Sequence, residues 1–277
     1  MQEASQMLAD LGNECRLIAG GTALMLGMRQ RMLTPTHLIS LGSLDALRQI
    51  SYDPRSGLRI GALVLHAQIA RAPVIQLHYP MLSDMAARVA NPQVRNQGTL
   101  GGNLCYADPA TDPPGCLMAL DAQVVISGRR GERVLAIEDF LIDYYTTALE
   151  SDEVVTEIRI PALPSDASGR YTRFLRTAAE HRPLVSVALL TRRAHAVCHE
   201  ARLVVGASTA IAMRLRRAEA FLAGKTVTPE VAAEAAEIAA ADIEPVSDQR
   251  GAADYRRDMV RIVARRTIVG LFGLESE

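Results

Sequence analysis

Two glycine pairs some eighty residues apart, in Ile18-Ala19-Gly20-Gly21-Thr22-Ala23-Leu24 and Thr99-Leu100-Gly101-Gly102-Asn103-Leu104, are the residues best placed to do chemistry. Each pair ends one run and opens a new element. Glycine has no Cβ, so its backbone amides can approach a phosphate closely. Two such loops predict one diphosphate held between them. The chemistry is anion binding by neutral donors, because no nucleophile, acid–base pair or metal cluster stands out elsewhere in the chain.

The first loop leaves a short apolar strand, Cys15–Ile18, and enters Leu24-Met25-Leu26-Gly27-Met28, which reads as the start of a helix whose amide end faces an anion. Ahead of it, Ala4, Met7, Leu8 and Leu11 fall at helical spacing over residues 2–11, and Gly12 is placed to end that helix. Strand signals follow at 57–62 and 122–126, the latter closed by Ser127-Gly128, with a helical stretch at 80–89 between them. Residues 153–160 alternate, which predicts Val154, Ile158 and Ile160 on one face and Glu157 and Arg159 on the other. Residues 161–169, rich in Pro, Ser, Asp and Gly, form the best linker and separate a first domain, 1–163 with an internal break near 52–57, from a second, 170–277. Beyond it, 184–191 and 201–207 read as strands that pair through a turn, and 210–222 and Pro229–Ala241 as alanine-rich helices. Tyr255, Met259, Ile262, Val263 and Arg266 mark one side of a C-terminal helix. The expected class is α+β.

At 277 residues the chain is long enough to bury a core without staples, and its net charge of −1 carries no basic bias. No stretch mixes clustered Lys and Arg with aromatics, which excludes nucleic acid as an expected partner. No apolar run approaches the roughly 20 residues needed to span a bilayer, and the N-terminus lacks a signal pattern, so the expected location is cytoplasmic. Cys15, Cys105, Cys116 and Cys198 are scattered, with no Cys-x-x-Cys pair, and read as reduced thiols rather than metal ligands. Gly224-Lys225-Thr226 imitates the end of a P-loop, but Glu219 stands where its first glycine belongs. His195 and His199, on an extended segment, would lie about 13 Å apart, too far for one metal.

Ala19-Gly20-Gly21-Thr22, the run Asn91-Pro92-Gln93-Val94-Arg95-Asn96-Gln97-Gly98-Thr99-Leu100-Gly101-Gly102-Asn103, and Asp108-Pro109-Ala110-Thr111-Asp112-Pro113-Pro114 together resemble the FAD-binding medium subunit of the molybdenum hydroxylases. That family includes the flavin subunits or domains of carbon monoxide dehydrogenase and xanthine dehydrogenase. The resemblance extends through 117–122, 152–161 and 247–257, nearly the whole chain, and the second loop with its Arg-Asn and downstream Asp is the more specific motif. It implies a two-subdomain FAD-binding domain followed by a smaller α+β domain. It also implies FAD as cofactor and a role in passing electrons between partner iron-sulfur clusters and an external acceptor such as NAD or a quinone. The implied partners are a large molybdenum-cofactor subunit and a small iron-sulfur subunit, as a dimer of heterotrimers. One relative, 4-hydroxybenzoyl-CoA reductase, carries an extra iron-sulfur cluster in an insertion after Gly-Gly-Asn-Leu-Cys. Here Cys105 runs directly into Tyr106-Ala107-Asp108, which implies no cluster. Relatives also begin with a further strand and a proline, so a shortened start is expected. The rival readings are a stand-alone flavin oxidase of the vanillyl-alcohol-oxidase type and a scaffold that has lost its flavin.

By this resemblance, Ala19, Gly20, Gly21, Thr22, Ala23 and Leu24 form one phosphate loop, and Thr99, Gly101, Gly102 and Asn103 the other. Thr99 and Asn103 can donate to the cofactor and cap their own turn at once. Arg95 either offsets the diphosphate charge or holds the loop through backbone carbonyls. Tyr106 either stacks in the pocket or packs in its turn. On residue type Asp112 suits an Asx turn; the resemblance implies a ribose contact. Val155 is by spacing a strand residue, and by resemblance it lies against the flavin ring. Leu175 replaces a lysine that some relatives carry after Phe174, leaving Arg176 as the substitute cation.

Overall fold

A computed structural model of the chain describes residues 1–274. The helix Gln2–Leu11 ends at Gly12, whose φ of 53° lies in the left-handed region. It leads into the strand Cys15–Ile18, which pairs in parallel with His37–Ser40. Ala4, Leu8, Cys15, Ile39 and Leu41 form the small core of this unit with Leu47, Leu63 and Val154. A five-stranded antiparallel sheet follows, in spatial order Ile50–Asp53, Gly57–Gly61, Val154–Ile160, Gln123–Gly128 and Gly131–Ala136. Its apolar face is covered by the helices Pro80–Arg88, Leu100–Tyr106 and Pro113–Ala119, which supply Leu82, Met85, Leu100, Leu104 and Leu117 to one core. The expected break near 52–57 falls inside the hairpin of the first two strands, so the passage from small unit to sheet lies ahead of Ile50.

The second domain is a four-stranded antiparallel sheet, Ala167–Phe174, Val185–Ala194, Val197–Gly206 and Met213–Arg214, backed by the helices Arg216–Leu222, Pro229–Ala241 and Ala253–Phe272. Both faces of its long central hairpin are buried. Val185, Val187 and Leu189 point to the helices, while Ala188 and Leu190 join the core of the first domain. That arrangement follows from a period of two along an almost wholly apolar strand. The two domains therefore share one packed interface rather than meeting at a loose hinge.

Four expectations change. A bulge opposite Val125 and Ile126 flips the face of residues 153–160, so Val155 joins Ile158 and Ile160 in the main core while Val154 turns to the small unit. The linker is shorter than 161–169, because Ala167, Ser168 and Gly169 already pair with residues 190–192. Residues 210–222 are helical only from Arg216, since Met213 and Arg214 are held as an edge strand and the Leu215 amide donates to Leu203. Sheet pairing overrides helix propensity there. On the C-terminal helix the buried side runs through Arg256, Met259, Val260, Val263, Ala264, Thr267 and Ile268, and Tyr255 and Ile262 are exposed. Arg256 sets this rotation by donating to the carbonyls of Leu184 and Ala207 and to Asp248.

Candidate functional site

The first glycine loop lines a cavity of about 630 Å³ between the parallel two-stranded unit and the helix Leu100–Tyr106. This volume lies in the usual range for cofactor pockets. Gly21 adopts φ 72°, and the turn it makes leaves the amides of Gly20, Gly21, Thr22, Ala23 and Leu24 with no internal acceptor among the described residues. All of these residues line the cavity, as does Ala19. Consecutive free N–H groups in such a turn converge on an anion without any net charge of their own. This first loop is therefore a ready cradle for a diphosphate.

The second loop is built differently. The Leu100 and Gly101 amides donate to the carbonyls of Val64 and Ala62 at 3.0 and 2.9 Å, and the Gly102 amide to Thr99 Oγ1 at 3.1 Å. The expectation of bare amides in both loops is corrected by these bonds, which spend the second loop's donors on docking and capping. The same contacts explain two glycines. A Cβ on Gly101 would lie 2.6 Å from the Ala62 Cβ, and one on Gly20 would lie 2.0 Å from the Gln97 carbonyl oxygen. These glycines let backbone meet backbone; the loops brace each other.

The other expected residues divide. Thr99, Gly101, Gly102, Asn103, Tyr106 and Val155 line the cavity. Asn103 Oδ1 accepts from Thr111 Oγ1 at 3.2 Å, which leaves its amide nitrogen as the free donor of that side chain among the described residues. The Tyr106 ring meets that of Tyr145 edge-on, with centroids 5.2 Å apart. Arg95 and Asp112 do not line the cavity. Arg95 donates to the backbone carbonyls of Val89 and Ala90, ahead of its own short helix and outside the loop of residues 99–103. Asp112 is buried at the domain interface, where its carboxylate accepts from Tyr171 at 2.7 Å and pairs with Arg173 at 3.2 Å, so it forms neither an Asx turn nor a cavity wall. Burial raises its pKa, opposed by Arg173 and the Tyr171 hydroxyl. Arg176 is engaged by Glu180 and the Arg250 carbonyl and does not line the cavity.

The lining residues that sequence reasoning missed include His66, Gly98, Tyr145 and Glu153. Glu153 takes both nitrogens of a fork from Arg133 at 2.7 Å and the Glu150 amide at 2.8 Å, and the Arg133 bonds first of all hold its pKa below the ordinary carboxylate value. Tyr145 sits at φ 52°, a left-handed conformation uncommon for a bulky residue and a frequent mark of functional segments. His66 opens the helix His66–Arg71, and its amide donates to the Gly98 carbonyl at 3.1 Å. His66 and Tyr145 had no motif signal, Gly98 and Glu153 stood inside the resembling runs without being singled out, and the fold brings all four to the cavity.

The comparisons with known proteins bear on this geometry directly. Residues 1–163 match the family described as the FAD binding domain in molybdopterin dehydrogenase, and residues 170–270 match the CO dehydrogenase flavoprotein C-terminal domain. The chain belongs to the FAD-binding medium subunits of the molybdenum hydroxylases. Its relatives in this family include the carbon monoxide dehydrogenase medium chain of Hydrogenophaga pseudoflava, 32% identical with 96% of this chain and 92% of that protein covered. The 6-hydroxypseudooxynicotine dehydrogenase complex subunit alpha of Paenarthrobacter nicotinovorans is 31% identical, covering 97% and 90%. Among solved structures, a chain of quinoline 2-oxidoreductase from Pseudomonas putida superposes with a TM-score of 0.93 at 33% identity, over 99% of this chain and 95% of that one. This medium subunit is thus an FAD-dependent oxidoreductase subunit with an α+β fold. The cavity fits that cofactor: the five open amides suit its diphosphate, and the lining includes His66, a buried histidine whose Nδ1 has no hydrogen-bond partner among the described residues.

Proposed function

We propose that this subunit holds FAD noncovalently and passes electrons between the iron-sulfur clusters of a small partner subunit and an external acceptor such as NAD or a quinone. A large molybdenum-cofactor subunit acts on the organic substrate, and the whole forms a dimer of heterotrimers. The observation that carries the reading is the run of open amides from Gly20 to Leu24 in a cavity, on a chain that matches medium subunits from end to end. FAD supplies the redox chemistry when bound. The chain's own residues bind and orient it. Residues 19–24 take the diphosphate, with Thr99, Gly102 and Asn103 facing it from the second loop, while Tyr106 and Val155 form the wall for the flavin ring. Arg95 and Asp112 support the site from behind, one bracing the turn at Val89 and Ala90 and the other locking the helix Pro113–Ala119 to the second domain.

The reading is tested by pull-down of the tagged chain from its native host, followed by absorbance of the bound flavin. Recovery of both a cysteine-rich small subunit and a large molybdopterin-type subunit is expected, with flavin bleaching on substrate addition only in the complex. Multiple turnovers of a small alcohol or aromatic substrate by the purified single chain would replace this reading with that of a stand-alone oxidase.

A further inference from the structure

His66 is 2% exposed, and its Nδ1 is the buried side-chain nitrogen or oxygen left without a hydrogen-bond partner among the described residues. A buried polar atom left unpaired is unfavourable, and a buried N–H donor is rarely orphaned. The single proton of the neutral ring is therefore disfavoured on Nδ1 and belongs on Nε2. That nitrogen is not sealed off in the same way, and the residue itself lines the cavity. Its position there is fixed by the loops. The Cβ that Gly98 lacks would sit 3.2 Å from His66 Cδ2, the ring carbon bonded to Nε2, and 3.5 Å from Thr22 Oγ1. The ring's Nε2 edge and the first loop's hydroxyl thus flank one glycine. Burial, with the charge of Arg95 second, lowers the His66 pKa to about 4, so the ring is a neutral donor at physiological pH.

We propose that His66 belongs to the cofactor cradle and donates its Nε2–H to a diphosphate oxygen of FAD opposite the Gly20–Leu24 amides. The inference rests on the reading of this cavity as the FAD site. A side chain on Gly98 would first meet the Val94 carbonyl oxygen, 2.9 Å from its Cβ, and would also crowd the imidazole. His66→Gln places an amide nitrogen near the Nε2 position, and His66→Phe keeps the ring shape without a donor.

The test uses the flavin-free full chain, titrated with FAD and followed by flavin fluorescence, together with imidazole 15N spectra of the histidine-labelled wild type. The wild-type His66 signals are expected to report the Nε2–H form and to shift on adding FAD. His66→Phe should weaken FAD binding about 10- to 100-fold, the range of a hydrogen bond to a charged group, while His66→Gln stays within about threefold of wild type. Unchanged His66 signals in the FAD-loaded wild type overturn the proposal, as does a His66→Phe chain that binds FAD like wild type. A wild-type chain that binds no FAD fails differently, because it removes the reading of the cavity itself.

Discussion

Gly20→Ala should abolish FAD retention through the protein's own backbone rather than by touching the cofactor. The added methyl carbon would stand 2.0 Å from the Gln97 carbonyl oxygen, where ordinary contact begins at 3.4 Å, so one loop must retreat by about 1.4 Å. Neither atom lies on a flexible side chain, and overpacking of this kind costs about 1–3 kcal/mol of stability. The larger effect falls on binding. Amide hydrogen bonds span about 2.7–3.2 Å, so a shift of that size takes the nearest amides of the cradle out of range. Losing two bonds to a charged group at about 1.5–3 kcal/mol each weakens affinity by roughly two to four orders of magnitude. The assay is fluorescence titration of the flavin-free chain, with Tm measured on the same samples. Gly115→Ala is the control, because its methyl meets only Val204 Cγ1 at 3.9 Å in the helix Pro113–Ala119. That change should leave FAD affinity alone and raise stability by up to about 1 kcal/mol through helix propensity. Gly20→Ala binding FAD within threefold of wild type would refute the claim that the two loops brace each other.

Asp112→Asn should act on the domain interface: it leaves Arg173, largely buried, without its charged partner, a loss of about 3 kcal/mol. The expected result is a Tm lowered by several degrees with FAD affinity within a few-fold of wild type; a large loss of affinity at unchanged Tm would restore a direct ribose contact. The flavin-free chain should lose stability as pH falls from 6.5 towards 4, because the unfolded state protonates His66 near 6.5 while the folded state resists until about 4. That window is worth about 3 kcal/mol at 1.36 kcal/mol per pH unit and should be absent from His66→Phe, as compared by denaturant unfolding at pH 7 and pH 4.5. Elemental analysis of the isolated chain should find no stoichiometric iron or acid-labile sulfide, and finding both would overturn the reading of Cys105 as a plain thiol.

Much of the fold was legible because its signals are local. The helix Pro229–Ala241 has Thr228 accepting from the Val231 amide and proline at its first position, and the strand Cys15–Ile18 is bounded by a glycine turn on either side. What could not be read depends on pairing or on buried polar groups. The bulge that turns Val155 inward is set by the register of a strand some thirty residues away in sequence, and Arg256 is a charged residue on a buried helix face. The site shows the same division. The loop from Ala19 to Leu24 was marked by its glycines, but whether its amides are open is a matter of which carbonyls lie nearby, and there the two glycine pairs part company. Asp112 is drawn away by Tyr171 and Arg173, residues of another domain. His66 carries no motif at all; its meaning lies in an unpaired nitrogen that only the folded chain reveals.

A structure of the chain loaded with FAD tests the central claim most directly. The account predicts diphosphate oxygens within hydrogen-bonding distance of the amides of Gly20 to Leu24, with the second loop's Leu100 and Gly101 amides still bonded to Val64 and Ala62. A diphosphate seated on the amides of Leu100 and Gly101, with those backbone bonds broken and the first loop empty, would contradict it.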